Sequence, residues 1–246
     1  MKRRLFIATG LSATLAACSQ IGTKLNDNAG FHHALESAEG LNERVIGTRG
    51  LVREYSASDI SSDFPVNSLP TPSDDSYVRL ANSGFRSYAL TVDGLVDYPQ
   101  RFTLSQLTHL MNLTEITRHD CVEGWSVVAE WQGVRLSSVL GLVRPKPEAR
   151  YVVFHSYDRD DNGTSYYESL NLVQAAHPQT LLSLRQNGKA LEIDRGAPLR
   201  LTVPTQLGYK SAKWLRRIEV TASLQGLYGG KGGYWEDQGY EWYAGI

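Results

Sequence analysis

Cys121, in the stretch RHDCVEGWSV (118–127), is the one cysteine in the body of a 246-residue chain. The other, Cys18, closes a segment that reads as an export signal. An odd thiol in an exported protein has three chemical options: it is buried and inert, it is reactive, or it ligates a metal as thiolate. The other chemistry-bearing residues exclude several familiar sites. His32, His33, His109, His119, His155 and His177 show no zinc spacing such as H-E-x-x-H. No G-x-S-x-G elbow for a serine nucleophile is present. GLYGGKGG (226–233) departs from the P-loop pattern, with Gln225 at its first glycine and Gly232 after the lysine, and reads as a flexible turn. The acidic run Asp158–Asp161 is too short for a calcium loop and reads as a solvated turn.

The elements that must position Cys121 follow from periodicity. Thr114–Cys121 reads as a strand that carries the thiol to its end, and Ser87–Val96 alternates as a strand should. Leu104–Leu113 has helical spacing behind Thr103 as N-cap. Leu136–Val143 is a short apolar helix stopped by Pro145, and Leu172–His177 another before Pro178. Tyr151–His155, Tyr166–Leu170, Leu181–Arg185, Leu199–Val203 and Leu215–Thr221 read as strands. Short strands mixed irregularly with short helices predict an α+β fold with a mixed sheet.

The N-terminus carries an address. MKRRLFIATGLSATLAAC has a basic start and an apolar run too short to span a bilayer, which takes about 20 residues. Arg3-Arg4 resembles a twin-arginine signal, and Leu15-Ala16-Ala17-Cys18 resembles a lipobox. The expectation is a signal peptide over 1–17, a lipidated Cys18, and a polar spacer and arm over 18–76. A domain at 77–223 and a Gly/aromatic tail at 224–246 follow. A lipid on Cys18 would anchor the protein to a membrane in the periplasm or cell envelope. Leu35–Val45 reads as a short helix within the arm. The formal charge is −1. Loss of Lys2, Arg3 and Arg4 from 25 basic residues leaves 22 against 26 acidic ones, which argues against a nucleic-acid partner.

Four stretches, RHDCVEGWS with WQGV, SLNLVQAAHPQTLL, GAPLRLTVP and GYKSAKW, stand in this order between Arg118 and Trp214. Together they resemble the molybdopterin-binding domain of the sulfite oxidase family, near the catalytic subunit of periplasmic methionine-sulfoxide reductases. The resemblance implies a sulfite oxidase-type mixed sheet and a molybdenum-molybdopterin cofactor, with Cys121 as the metal's thiolate ligand. Soft sulfur ligands suit such a metal. It implies cofactor contacts at Tyr77, Ser156, Arg200, Ser211, Ala212 and Lys213. Tyr77 and Val78 match a loop over the pterin. Three positions depart from the family pattern: Asp74 and Arg195 stand where Asn is expected, and Val78 where Glu is. The implied activity is oxygen-atom or electron transfer on a small-molecule substrate such as sulfite or a sulfoxide. Without haem, flavin or iron–sulfur motifs, electrons must pass through an external carrier. A lipoprotein of this fold that holds a pterin or small ligand without turnover is the alternative. The aromatic tail Tyr234–Tyr243 either shapes the site mouth or caps the core.

Overall fold

The computed structural model describes residues 50–66 and 71–246. The signal segment, Cys18 and the expected helix at Leu35–Val45 lie outside the described residues. Residues 50–66 run along the strand-rich body. Val52 N–H donates to Gln179 Oε1 (2.8 Å), Tyr55 N–H to the Ile116 carbonyl (2.9 Å) and Ser61 N–H to that of Val128 (3.0 Å).

Helix α1 (Asp75–Asn82) opens where Asp74 accepts the N–H groups of Ser76 and Tyr77, which would otherwise lack partners. Tyr77 and Val78 therefore sit on a helix, and the expected loop is absent there. The signal was the Asp74 cap itself, hidden in a Ser/Pro/Asp-rich stretch. Strand β1 (Ala89–Gly94) buries Leu90 and Val92 on one face. β2 (Gln100–Thr103) leads into α2 (Leu104–Leu110), closed by a reciprocal Thr103–Gln106 capping box. α2 ends three residues before the expected Leu113. There Asn112 turns to pair its N–H with the Gly133 carbonyl (3.0 Å), and Leu113 starts a strand.

That strand, β3 (Leu113–Asp120), pairs antiparallel with β4 (Ser126–Arg135). Periodicity did not predict β4, whose alternation is broken near Gly133. A Cβ there would stand 2.0 Å from the Leu182 carbonyl, beside a shift in register against the next strand. α3 (Leu136–Val143) follows, then β5 (Tyr151–Arg159), β6 (Ser165–Asn171), α4 (Leu172–Ala175), β7 (Leu181–Gln186) and β8 (Lys189–Ala190). β9 (Arg200–Thr202), β10 (Leu215–Thr221) and α5 (Tyr234–Asp237) complete the order. One sheet runs β2-β1-β10-β5-β6, with β1 and β10 parallel and the other pairs antiparallel. The second runs β3-β4-β7-β8, with β9 also on β7. The mixed sheet makes the fold α+β.

A single apolar cluster joins Leu90, Phe154 and Ile218 of the first sheet to Val134, Leu182 and Leu201 of the second, through α3. Trp131 belongs to a smaller cluster with Leu181 and Leu191. Between β6 and the C-terminal segment lies a charged centre. Lys210 Nζ stands 2.5 Å from Glu168 Oε1 and 2.5 Å from Glu236 Oε1, and all three are at most 1% exposed. Burial drives the Glu168 carboxyl well above its ordinary pKa, against the pull of Lys210. Burial also works against the Lys210 ammonium, but the two carboxylates outweigh it and raise its pKa. Removing one partner of such a group leaves buried charge uncompensated. Lys210→Met is expected to lower the unfolding free energy by about 3–5 kcal/mol in urea titration. Adding Glu168→Gln and Glu236→Gln to it should recover much of that loss.

Candidate active site

Cys121 follows the last residue of β3, in the turn to β4. Its N–H donates to the Trp125 carbonyl (2.9 Å), and Gly124, at φ 90°, returns its own N–H to the Cys121 carbonyl (3.0 Å). Glycine suits that positive φ. Asp120 locks the hairpin by accepting from Arg118 Nε (2.9 Å) and from the Ser126 hydroxyl. The Cys121 side chain is free and buried, and burial pushes its thiol pKa up.

The facing wall is a 3₁₀ turn, Gly208–Lys210, continued by Ser211, Ala212 and Lys213. Gly208 is required by close approach: a Cβ there would stand 2.5 Å from His119 Nε2. Its neighbours are laced to β9, with Leu201 N–H on the Ala212 carbonyl (2.8 Å) and Val203 N–H on Ser211 Oγ (3.1 Å). Between the two walls lies an open cleft, about 620 Å³ of space with the solvent at its mouth included. It brings together Cys121, Ser211, Ala212 and Lys213 from the sequence-derived set. Trp235 and Tyr240 of the C-terminal segment line it too, so part of the tail shapes the mouth. Tyr243, in contrast, is buried.

The remaining candidates surround this cleft or stand outside it. Ser156 on β5 is fully buried, and its hydroxyl has no hydrogen-bond partner. Arg200 on β9 is 4% exposed; it lies over the Trp131 ring (4.9 Å), donates Nη1 to the Arg195 carbonyl (3.2 Å), and leaves Nε without a partner. Tyr77 donates its hydroxyl to the Ala197 carbonyl (2.7 Å) and packs on Tyr157. Arg195 donates to the Pro65 carbonyl (3.1 Å) and stacks over Phe64. Asp74 spends its carboxylate on the α1 cap, and Val78 is exposed; neither lines the cleft. His155 is engaged by Tyr228 and Glu219 away from the lining residues.

Asp158 was missed. It lies on the end of β5, 3% exposed, lines the cleft, and leaves Oδ1 unpartnered, so the expected solvated turn begins only beyond it. The available signal was the strand period: Ser156 and Asp158 are two apart and share a face. Burial raises the Asp158 carboxyl pKa to about 7, with Lys213 pulling the other way.

The positive charges are the anomaly. Burial, then the neighbouring Arg200, lowers the Lys213 pKa to about 8. Burial, then Arg195, lowers that of Arg200 to about 10. Among the described residues neither Arg200 nor Lys213 forms an ion pair. Two buried, mutually repelling cations need an anion.

Residues 77–227 match the family model described as the oxidoreductase molybdopterin binding domain. The chain belongs to this family. It is a molybdopterin-dependent oxidoreductase with a sulfite oxidase-type fold. A curated relative from Azospira oryzae, named putative protein-methionine-sulfoxide reductase subunit YedZ1, is 36% identical over 248 residues, covering 99% of this chain and 87% of the relative. The solved sulfane dehydrogenase SoxCD from Paracoccus pantotrophus is similar at TM-score 0.50 and 25% identity, over 56% of this chain. The chain spans 39% of that solved chain.

The residues present fit molybdopterin. Its phosphate would answer the two unpaired cations, and the buried Ser156 hydroxyl is a further unspent donor. A metal beside Cys121 would reverse the effect of burial and hold the thiol deprotonated. In the cofactor-free protein, Asp158 keeps its proton to a higher pH than in the unfolded chain. Its raised pKa therefore removes stability as pH climbs from about 4 to about 7. Asp158→Asn should remove that slope, making the apo variant more stable than the parent at pH 8 by on the order of 2–4 kcal/mol. Urea unfolding of both at pH 4.5 and pH 8 checks it.

Proposed function

We propose that this chain is an exported oxidoreductase that removes the oxygen atom from a small neutral sulfoxide, with Cys121 as the thiolate ligand of molybdenum. The overall reaction is R₂S=O + 2H⁺ + 2e⁻ → R₂S + H₂O, with electrons from an external carrier. When bound, molybdopterin supplies the two-electron, oxygen-accepting chemistry. The protein supplies ligation, orientation and charge. Arg200 and Lys213 would hold the phosphate end, Ser211 and Ala212 would offer backbone contacts, and Ser156 and Tyr77 would flank the pterin. Asp74, Val78 and Arg195 would contribute less, since a helix cap occupies the first, the second is exposed, and the third is engaged by the Pro65 carbonyl and the Phe64 ring.

The observation that carries this reading is the placement of Cys121 across one cleft from Lys213, with Arg200 unpaired behind it. The choice of a neutral sulfoxide over sulfite rests on the cleft's mouth. Glu123, Val122, Trp235 and Tyr240 line it, and among the described residues no arginine does. Arg118 pairs with Asp120, and Arg144 lies over Tyr98, so neither is placed to receive a dianion. A carboxylate beside an aromatic rim repels sulfite and tolerates an uncharged substrate. The name of the Azospira relative supports the same choice, and its description as a subunit supports a protein partner that delivers electrons.

Export with a lipid on Cys18 would hold the enzyme at a membrane surface near such a carrier, and the Arg3-Arg4 signal would let it cross already loaded. Cys18→Ala should move the protein from the membrane fraction to the soluble one.

Protein matured with its native insertion machinery should contain about one molybdenum per chain and reduce a sulfoxide with a reduced viologen dye as donor. Cys121→Ser should lose the metal and at least about a hundredfold in turnover. Well-folded wild-type protein that takes up no molybdenum, or loaded protein that oxidises sulfite and leaves sulfoxides untouched, would contradict the reading.

A further inference from the structure

The cleft has a third wall, supplied by the C-terminal segment. Trp235 lies on α5, and the chain turns back at Gly239, φ 105°, so that Tyr240 N–H reaches the Trp235 carbonyl at 3.0 Å. This turn stacks the two rings with centroids 5.2 Å apart and 26° between planes. Tyr209, next to Gly208 in the facing wall, meets Tyr240 edge-on at 5.3 Å and donates its hydroxyl to the Glu241 carbonyl (2.7 Å). The segment is tied down by the two residues that follow Trp235 in its helix. Glu236 belongs to the Lys210 centre, and Asp237 accepts from Tyr167 Oη (2.6 Å), Gly229 N–H (2.9 Å) and Lys231 N–H (3.1 Å).

Two facts separate this wall from the cofactor-facing one. Trp235 and Tyr240 lie beyond residues 77–227, the stretch matched by the family domain. Tyr240 also keeps 39% of its surface exposed, which is unusual for a ring so well fixed by its neighbours. The polar groups Asp158, Ser211 and Lys213 are buried in the same cleft, whereas the Tyr240 side of the aromatic rim stays open. Aromatic faces attract sulfur and C–H groups and offer nothing to a small hydrated anion.

We infer that Trp235 and Tyr240 form the substrate-side wall of the cleft and select sulfoxides whose sulfur bears an apolar arm over small hydrophilic ones. This rests on the sulfoxide reading above and names the substrate class within it. The stacked pair holds the apolar arm, and Cys121 sets the depth at which the S=O group must arrive. Tyr209 fixes the tilt of Tyr240 and acts as a positioning residue.

The test uses the loaded full-length protein, with dimethyl sulfoxide and methyl p-tolyl sulfoxide as paired substrates. In Trp235→Leu and in Tyr240→Leu, the preference for the aryl substrate in kcat/KM should fall about tenfold, chiefly through KM. Molybdenum and pterin content should match the parent in both variants. An unchanged preference overturns the inference. So does loss of pterin in Tyr240→Leu, which would assign the wall to the cofactor. Calorimetric binding of methyl p-tolyl sulfide, the product thioether, separates the two levels of the account. Affinity should fall about tenfold in each variant. Wild-type protein that binds the sulfide through Tyr240 yet reduces neither sulfoxide keeps the wall and removes the reductase reading. Binding indifferent to both rings removes the wall, whatever the turnover.

Discussion

Lys210, buried between Glu168 and Glu236, is the interaction on which the site's architecture depends. It sits inside the segment 208–213, which supplies Ser211, Ala212 and Lys213 to the cleft. One partner belongs to β6 and the other to α5, so a single ammonium fastens the 208–213 wall to the mixed sheet and to the aromatic wall. The carboxylates can crowd together only because Gly233 is bare. A Cβ at that position would fall 1.9 Å from Glu236 Oε2 and 2.6 Å from Glu168 Oε1. A buried charge cluster of this kind is weak evidence for stability as such, but its geometry is demanding. Here that demand holds the 208–213 wall and the aromatic wall in place relative to one another.

The charges of the cleft make the contrast. Lys210 has two carboxylates, whereas Arg200 and Lys213, also buried, form no ion pair among the described residues. A fold that neutralises one lysine so fully gives these two cations only backbone carbonyls, ring faces and, for Lys213, the weaker pull of Asp158 and Asp194. An anionic group that brings its own charge into the cleft resolves the difference, and the phosphate of molybdopterin is such a group. The neutral His119, whose pKa burial and then Arg200 lower to about 3, fits the same field.

Much of this was legible in the sequence. Leu136–Val143 and Leu215–Thr221 form with the bounds that periodicity predicts, because each is an uninterrupted local pattern ended by Pro145 or by polar residues. Cys121 falls at a strand end as expected. What escaped was what tertiary contact decides. β4 carries Gly133 for the sake of the Leu182 carbonyl across the sheet, and that reason is invisible within its own ten residues. Asp158 looks like part of an acidic turn until β5 is seen to run on to Arg159. Asp74 and Val78 stand at family positions without the family's residues, and the fold gives the first to a helix cap and leaves the second exposed. The order of four distant motifs indicated the family; only the fold showed which of their side chains share a cleft.

The central claim is that Arg200 and Lys213 are unpaired because the cofactor's phosphate is their partner. Pterin released from denatured protein, quantified by fluorescence after maturation with the native machinery, tests it most directly. Arg200→Gln and Lys213→Gln should each remain folded by circular dichroism and retain less than about a tenth of the parental pterin. Full pterin occupancy in both variants would contradict the account.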